Sequence, residues 1–239
     1  MWLGTLMGGG SIRVTSERNE TFDHPEAGEL RPLFIAFEGV EGCGKSTQIG
    51  LLASHLERSN RTYVVTREPG GTPFGEALRD LLLSPASTSI DGFTELYLLE
   101  ASRRVHLNEV INPALRRGLV VICDRFADSS VAYQGGGREL GLDLVEALNL
   151  QATSGVMPDI TILLDLDPEI GLTRVGHRPR PEDRMEQEAL QFHQRVRAAY
   201  LELAKRRGES YAVFDAQKSA PEIAAEIAAV LNRFLFPAG

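Results

Sequence analysis

The chain has 239 residues, only two cysteines, and 33 acidic against 25 basic residues, a formal net charge of −8. That length holds one well-buried α/β core and not two large domains, and an acidic balance with no long Lys/Arg run excludes a protein whose main task is gripping a nucleic-acid backbone. Two isolated cysteines exclude a disulfide framework and suit a reduced, cytoplasmic chain, while no apolar run approaches the roughly 18–20 residues of a membrane span.

Residues 1–30 are rich in Gly, Ser, Thr, Glu and Asn and read as a flexible extension, with Met7 a second candidate start. The opening MWLGTLMGGG has too short an apolar run and no basic leader for a secretion signal. Residues 31–239 then read as one domain. Short apolar runs alternate there with longer helical patterns. LFIAFEG (33–39), TYVVTRE (62–68), LVVICDR (119–125), DITILLDLD (159–167) and YAVFDA (211–216) each suit a buried strand. Helical periodicity falls at about 45–58, 74–83, 93–117, 141–153, 168–176, 183–207 and 220–234. The alternation implies a three-layer α/β/α domain with a five-stranded parallel sheet, its ligands gathered at the carboxyl ends of the strands.

Between the first strand and the first helix, Gly39 to Ser46 read GVEGCGKS, a full fit to G-x-x-x-x-G-K-[ST] in the strand–loop–helix frame of a P-loop NTPase. Glycines let successive N–H groups converge on phosphate oxygens, and the helix N-terminus adds partial positive charge. Gly39, Val40, Glu41, Gly42, Cys43, Gly44, Lys45, Ser46 and Thr47 are therefore the expected nucleoside-triphosphate-binding segment, which the resemblance below gives to ATP. Lys45 would reach the β and γ phosphates, and Ser46 would hold Mg²⁺.

Each later strand also ends in chemistry. The second closes on TREPGGT, which sets Arg67 before a Pro-Gly-Gly turn, and the third on CDRF. Alone, these are a turn and a local ion pair. Beside a P-loop, Asp124 suits Mg²⁺ or its water shell and Arg125 suits a second phosphate. Ser129 to Arg138, SSVAYQGGGR, combine hydroxyls, an aromatic, an amide and a flexible turn fit for a small polar ligand. After the fourth strand, Arg174, His177, Arg178, Arg180 and Arg184 cluster around two prolines. An exposed basic helix end would look similar, but together they suit a lid over about 175–186 that closes on transferring phosphates. His55, His106 and His193 lack acidic partners at metal spacing and read as surface or packing residues.

The order FEGVEGCGKST, TREPGGT, LEASRRVH, VICDRF, DSSVAYQGGGR, PDITILLDLDPEIGLTR and DRMEQE, from Leu33 onward, resembles the bacterial thymidylate kinases. The resemblance implies transfer of the ATP γ-phosphoryl to dTMP with Mg²⁺, giving dTDP and ADP, by a homodimer whose partners are nucleotides and not nucleic acid or membrane. By position, Glu41 matches the carboxylate near the acceptor 3′-hydroxyl and Arg103 the arginine on the thymine carbonyl. Ser130 matches the base-edge position, Tyr133 the aromatic crowding the 2′ carbon, Arg125 the acceptor-phosphate arginine and Pro69 a frequent cis proline. With Arg67, Leu99 and Gln134 these form the expected acceptor site. One branch of the family carries a catalytic arginine where this chain has Gly42. The cation must then come from the lid, so Arg178, Arg180 and Arg184 join Lys45 and Arg125 in the expected catalytic set.

Two positions depart from the family pattern. Leu99 replaces the usual Phe or Tyr and forgoes an aromatic contact with the base of about 1 kcal/mol. Cys43 stands where Ala is common, a place where bound nucleotide shields a thiol from reagents. The Leu99 departure keeps another nucleoside monophosphate or deoxynucleoside kinase open, and a non-catalytic nucleotide-binding module is the remaining alternative. The sequence has no N-K-x-D motif of a guanine-reading switch.

Overall fold

The structure, a computed structural model, describes residues 31–87, 90–177 and 183–235. The expected extension at 1–30 and the lid residues Arg178 and Arg180 lie outside the described residues. Five parallel strands, β1 (Leu33–Glu38), β2 (Tyr63–Arg67), β3 (Val120–Asp124), β4 (Ile160–Asp165) and β5 (Tyr211–Asp215), form one sheet in the order β2-β3-β1-β4-β5. β1 lies at the centre, paired to β3 from Leu33↔Val120 and to β4 from Ile35↔Ile160.

The continuous apolar runs follow from burial on both faces. Alternate residues go to opposite sides: Leu33, Ile35 and Phe37 join one core with Val120 and Ile122, while Phe34 and Ala36 join the other with Val121 and Cys123. The strand order turns back on either side of β1, and that crevice at the carboxyl ends is where such sheets bind ligands.

Helices close both layers, and several start on sequence signals. α1 (Lys45–Arg58) begins at Gly44, which holds a left-handed φ of +96°. α2 (Pro73–Leu83) is capped by Thr72, whose hydroxyl accepts from Gly75 N at 3.0 Å, with Pro73 in its first turn. α3 (Gly92–His106) is capped by Asp91. It runs on through wider π-type turns at Leu107–Ile111 into α4 (Asn112–Arg116), so the expected single helix over 93–117 is one rod that widens before Pro113, which has no amide proton to offer the preceding turn.

The stretch expected to be a flexible turn departs more. α5 (Ala127–Ser130) continues into wide helical turns over Val131–Gly137, most of it buried. Its glycines serve packing: a Cβ on Gly136 would lie 2.7 Å from Ala199 Cβ, and one on Gly137 2.5 Å from the Phe192 ring. α6 (Leu142–Thr153) and α7 (Pro168–Gly176) follow; α8 (Leu190–Arg207) starts seven residues later than the expected 183, because Asp183 Oδ1 accepts from Met185 N and Glu186 N and holds a separate turn. α9 (Ala220–Leu235) opens on a capping box, Glu222 accepting from Ser219 N at 3.0 Å.

Candidate active site

The P-loop bridges β1 and α1 through left-handed backbone at three points, a conformation that favours glycine. Gly39, Gly42 and Gly44 have φ of +139°, +69° and +96°. Lys45 folds back over the loop and donates to Gly39 O at 3.1 Å and Val40 O at 3.2 Å, while Ser46 and Thr47 stand exposed at the first turn of α1. Gly39 and Val40 are buried under the loop; Glu41 through Thr47 line a cavity of ≈ 320 Å³.

The same cavity reaches across the carboxyl ends of β2 and β3. Arg67, Leu99, Arg103, Asp124, Arg125, Ser130, Tyr133, Gln134 and Arg184 all line it, so every described side chain expected in the site except Val40 meets in one place. Among the described residues no group of three or more His, Cys, Asp or Glu is arranged to hold a metal. Magnesium does not need one, since it keeps waters and takes one or two protein oxygens beside substrate phosphates. Asp124 Oδ1 is buried with no hydrogen-bond partner, and it shares the cavity wall with Ser46.

Arg125 follows β3 with a left-handed φ of +69°, a strained conformation for a side chain of this size. Its guanidinium holds it there. Nη1 donates to Tyr200 OH at 3.1 Å and Ser129 Oγ at 3.3 Å; Nη2 donates to Tyr133 OH at 2.9 Å and Glu41 Oε1 at 3.3 Å. Tyr133 OH also donates to Glu41 Oε1. His193 Nδ1 lies 3.2 Å from Glu41 Oε2, off the line of a hydrogen bond. Burial alone would raise the Glu41 carboxyl, but His193, Arg125, Lys45 and Tyr133 outweigh it and hold it at about 2.

Behind this layer stands Glu38, the last residue of β1 and fully buried. It accepts from Phe126 N at 2.8 Å, Ser129 Oγ at 2.6 Å and Tyr200 OH at 2.7 Å, and burial pushes its carboxyl upward. The part of the cavity wall around Arg103 is as crowded. Arg103, 2 % exposed, donates through Nε to Glu68 at 2.8 Å, through Nη1 to Glu100 at 2.6 Å and to Asn149, and through Nη2 to Ser130 Oγ at 2.9 Å and Phe126 O at 3.3 Å. Gln134 Nε2 donates to Glu95, leaving its Oε1 buried without a partner.

Arg184 is tied down rather than free over the cavity. Its Nη2 pairs with Glu95, its Nε donates to Leu82 O at 2.9 Å and its amide to Leu83 O at 3.1 Å. Arg67 Nη2 pairs with Glu76 at 2.7 Å, and the Glu68–Pro69 peptide is cis, as the resemblance implies. The sequence reading missed Glu38, Glu68, Arg79, Glu95, His106, His193 and Tyr200. A carboxylate ending an otherwise apolar strand was a usable signal for Glu38. Nothing local marks His106 and His193, which are fully buried rather than surface residues and each touch a site carboxylate.

The family model described as Thymidylate kinase matches residues 37–227. The chain belongs to the thymidylate kinase family. It is 48 % identical over 209 residues to the thymidylate kinase of Solidesulfovibrio magneticus, covering 85 % of this chain and 100 % of that protein. It is 46 % identical over 200 residues to that of Deinococcus radiodurans, covering 84 % and 96 %. Among solved structures, thymidylate kinase from Ehrlichia chaffeensis superposes with a TM-score of 0.68 at 35 % identity, over 84 % of this chain and 99 % of that one. Thymidylate kinases are phosphotransferases of nucleotide biosynthesis, and the P-loop cavity of this member has the shape that work needs.

Proposed function

We propose that this chain transfers the γ-phosphoryl group of ATP to the 5′-phosphate of dTMP, with Mg²⁺, giving dTDP and ADP for dTTP synthesis. The observation that carries this reading is the single cavity in which the P-loop side chains and the Arg103–Tyr133–Arg125 wall face one another. Phosphorylation of dTMP to dTDP is the reaction of the thymidylate kinase family.

In this reading an oxygen of the acceptor phosphate attacks the γ phosphorus in line, the new P–O bond forms, and the bond to the β,γ-bridging oxygen breaks to leave ADP. The acceptor is already an anion near neutral pH, so no side chain need remove a proton. Catalysis is positioning and charge neutralisation. Lys45 and the P-loop amides hold the β and γ phosphates. Arg125, with Arg67 and the half-buried Arg79 near it, receives the acceptor phosphate. Glu41 faces the 3′-hydroxyl, Tyr133 crowds the 2′ carbon, Leu99 covers the base, and Ser130 and Gln134 meet its edge with Arg103. Ser46, with Asp124 nearby, would hold Mg²⁺, which would supply neutralising charge to the phosphates.

For the lid, Arg178 and Arg180 supply the cation that Gly42 lacks. Arg184 contributes by anchoring the lid base, a role supported by its bonds to Glu95 and Leu82. No helix among the described residues is long and apolar enough to cross a membrane. Two buried free cysteines, Cys43 and Cys123, support a reduced cytoplasmic setting. A homodimer is supported by Phe93 and Tyr97, which stand 44 % and 59 % exposed one turn apart on α3.

The test is ADP release, coupled to a second enzyme, across a panel of nucleoside monophosphates, with Lys45→Ala as the inactive control. Turnover that needs dTMP supports the reading. Equal use of other monophosphates would move the protein to a broader kinase, and ATP binding without acceptor-dependent turnover would make it a binding module.

A further inference from the structure

His106 closes α3, fully buried and outside the cavity wall. Both ring nitrogens are engaged: Nδ1 lies 2.9 Å from Glu68 Oε1, and Nε2 lies 2.6 Å from Thr66 Oγ1. An ionised carboxylate only accepts, so Nδ1 carries the proton toward Glu68; in the neutral ring Nε2 then accepts from the Thr66 hydroxyl. Glu68 Oε2 accepts in turn from Arg103 Nε. Thr66, His106, Glu68 and Arg103 thus form an unbroken buried line from β2 to the cavity, no member more than 7 % exposed.

All five N–H groups of Arg103 have protein acceptors. Glu68 fixes Nε, Glu100 and Asn149 fix Nη1, and Nη2 remains on the side of the cavity-lining Phe126 and Ser130. The longest of the five bonds, 3.3 Å to Phe126 O, is on Nη2 and is the one a ligand most readily replaces. The aim of Nη2 is therefore set from behind, by the Nε and Nη1 contacts.

We propose that His106 is a positioning residue for acceptor recognition: by locking Glu68 it makes Arg103 present Nη2 to a carbonyl of the acceptor base. This rests on the reading of Arg103 as the base-contacting arginine. Without an N–H at His106, Glu68 Oε1 is a buried carboxylate oxygen short of its donor. The carboxylate turns toward another donor and Arg103 loses its aim. The ring also fills the space behind the Pro69–Gly71 turn, since a Cβ on Gly71 would lie 2.7 Å from it, so a test must keep its volume.

His106→Phe keeps a flat ring and drops both nitrogens; Thr66→Val keeps the shape and drops the hydroxyl that donates to Nε2. The readouts are KM for dTMP, KM for ATP, kcat, and the kcat/KM ratio of dTMP over dCMP, whose ring carries an amino group where thymine carries a carbonyl. With a buried donor lost, His106→Phe should raise KM for dTMP about tenfold and narrow the dTMP/dCMP ratio about tenfold, with KM for ATP unchanged. Thr66→Val should move both the same way by about threefold, and His106→Gln, which restores one donor, should recover part of the loss. An unchanged dTMP KM and ratio in His106→Phe, or in Thr66→Val if the first variant does not fold, overturns the proposal, as does a fall in kcat alone. Arg103→Lys separates the layers: if it leaves the ratio intact, the base-reading role of Arg103 fails; if it collapses the ratio while His106→Phe does not, only the positioning role fails.

Discussion

Gly42 and Gly171 stand backbone against backbone at the joint between the P-loop and α7. A Cβ on Gly42 would lie 2.3 Å from Gly171 O, and one on Gly171 would lie 2.2 Å from Glu41 O. Arg174 on the same helix adds a bond to Gly42 O at 3.3 Å. The loop has no room for a side chain at position 42, so a loop arginine is excluded by packing as well as by sequence. Gly42→Arg should lose activity rather than gain a cation, and overpacking against rigid backbone should cost about 1–3 kcal/mol. A Gly42→Arg protein with unchanged melting temperature and kcat would contradict this.

Tyr133 does two separable jobs. Its hydroxyl joins Arg125 to Glu41, and its ring lines the cavity, where the proposed function sets it against the 2′ carbon. Tyr133→Phe should therefore lower kcat/KM for dTMP by about tenfold through the loosened charge cluster, with discrimination against the ribonucleotide intact. Tyr133→Ala should shift the preference toward the ribonucleotide, and an identical ratio in all three proteins would remove the steric account.

The three lid arginines should divide into two kinds. Replacing the one that supplies the transition-state cation, Arg178 or Arg180, should lower kcat by roughly 10³-fold or more, with KM for dTMP little changed. Arg184→Met breaks bonds to Glu95 and Leu82 instead. Its expected signature is a lower melting temperature and a higher KM for dTMP. Steady-state kinetics and thermal denaturation of the three single variants decide the assignment.

Asp128 gives the fold a pH slope. Burial pushes its carboxyl up to about 7, despite Arg207 at 2.9 Å, with Glu38 and Glu146 adding to the rise. The folded state therefore keeps a proton that the unfolded chain releases near its ordinary value of 3.8. Stability from this group falls as pH rises from about 4 to 7 and stays low above. Asp128→Asn removes the charge and leaves Arg207 its contact with Glu146 at 3.1 Å. The variant should be more stable than the parent at pH 8, by on the order of 1–3 kcal/mol, and flatter in urea midpoint between pH 4 and 7.

Phe93 and Tyr97 lie 6.4 Å apart by ring centroid on α3, the helix that packs on α6, where Leu144 and Leu150 are 43 % and 57 % exposed. Exposed apolar groups of this size mark interaction sites. Tyr97→Glu should shift sedimentation from dimer to monomer, and a single unshifted species for both proteins would speak against this face.

The sequence by itself determined the fold and named residues that the structure gathers at one cavity. Strand ends and the P-loop were legible because each is a local pattern: an apolar run, a turn, or a fixed spacing that backbone geometry demands. It misread the stretch at 129–138, since glycines that allow helix packing and glycines that allow flexibility look alike until α8 is seen against them. It left His106 and His193 as surface or packing residues, without the contacts that their burial gives them. What a buried imidazole touches depends on side chains 38 and 152 positions away in the chain, Glu68 and Glu41. Only the tertiary structure brought the end of β2 to α3 and the P-loop to α8 for those contacts. In a desolvated interior such partners decide which charges are held, which nitrogen carries a proton, and which arginine is left facing the ligand.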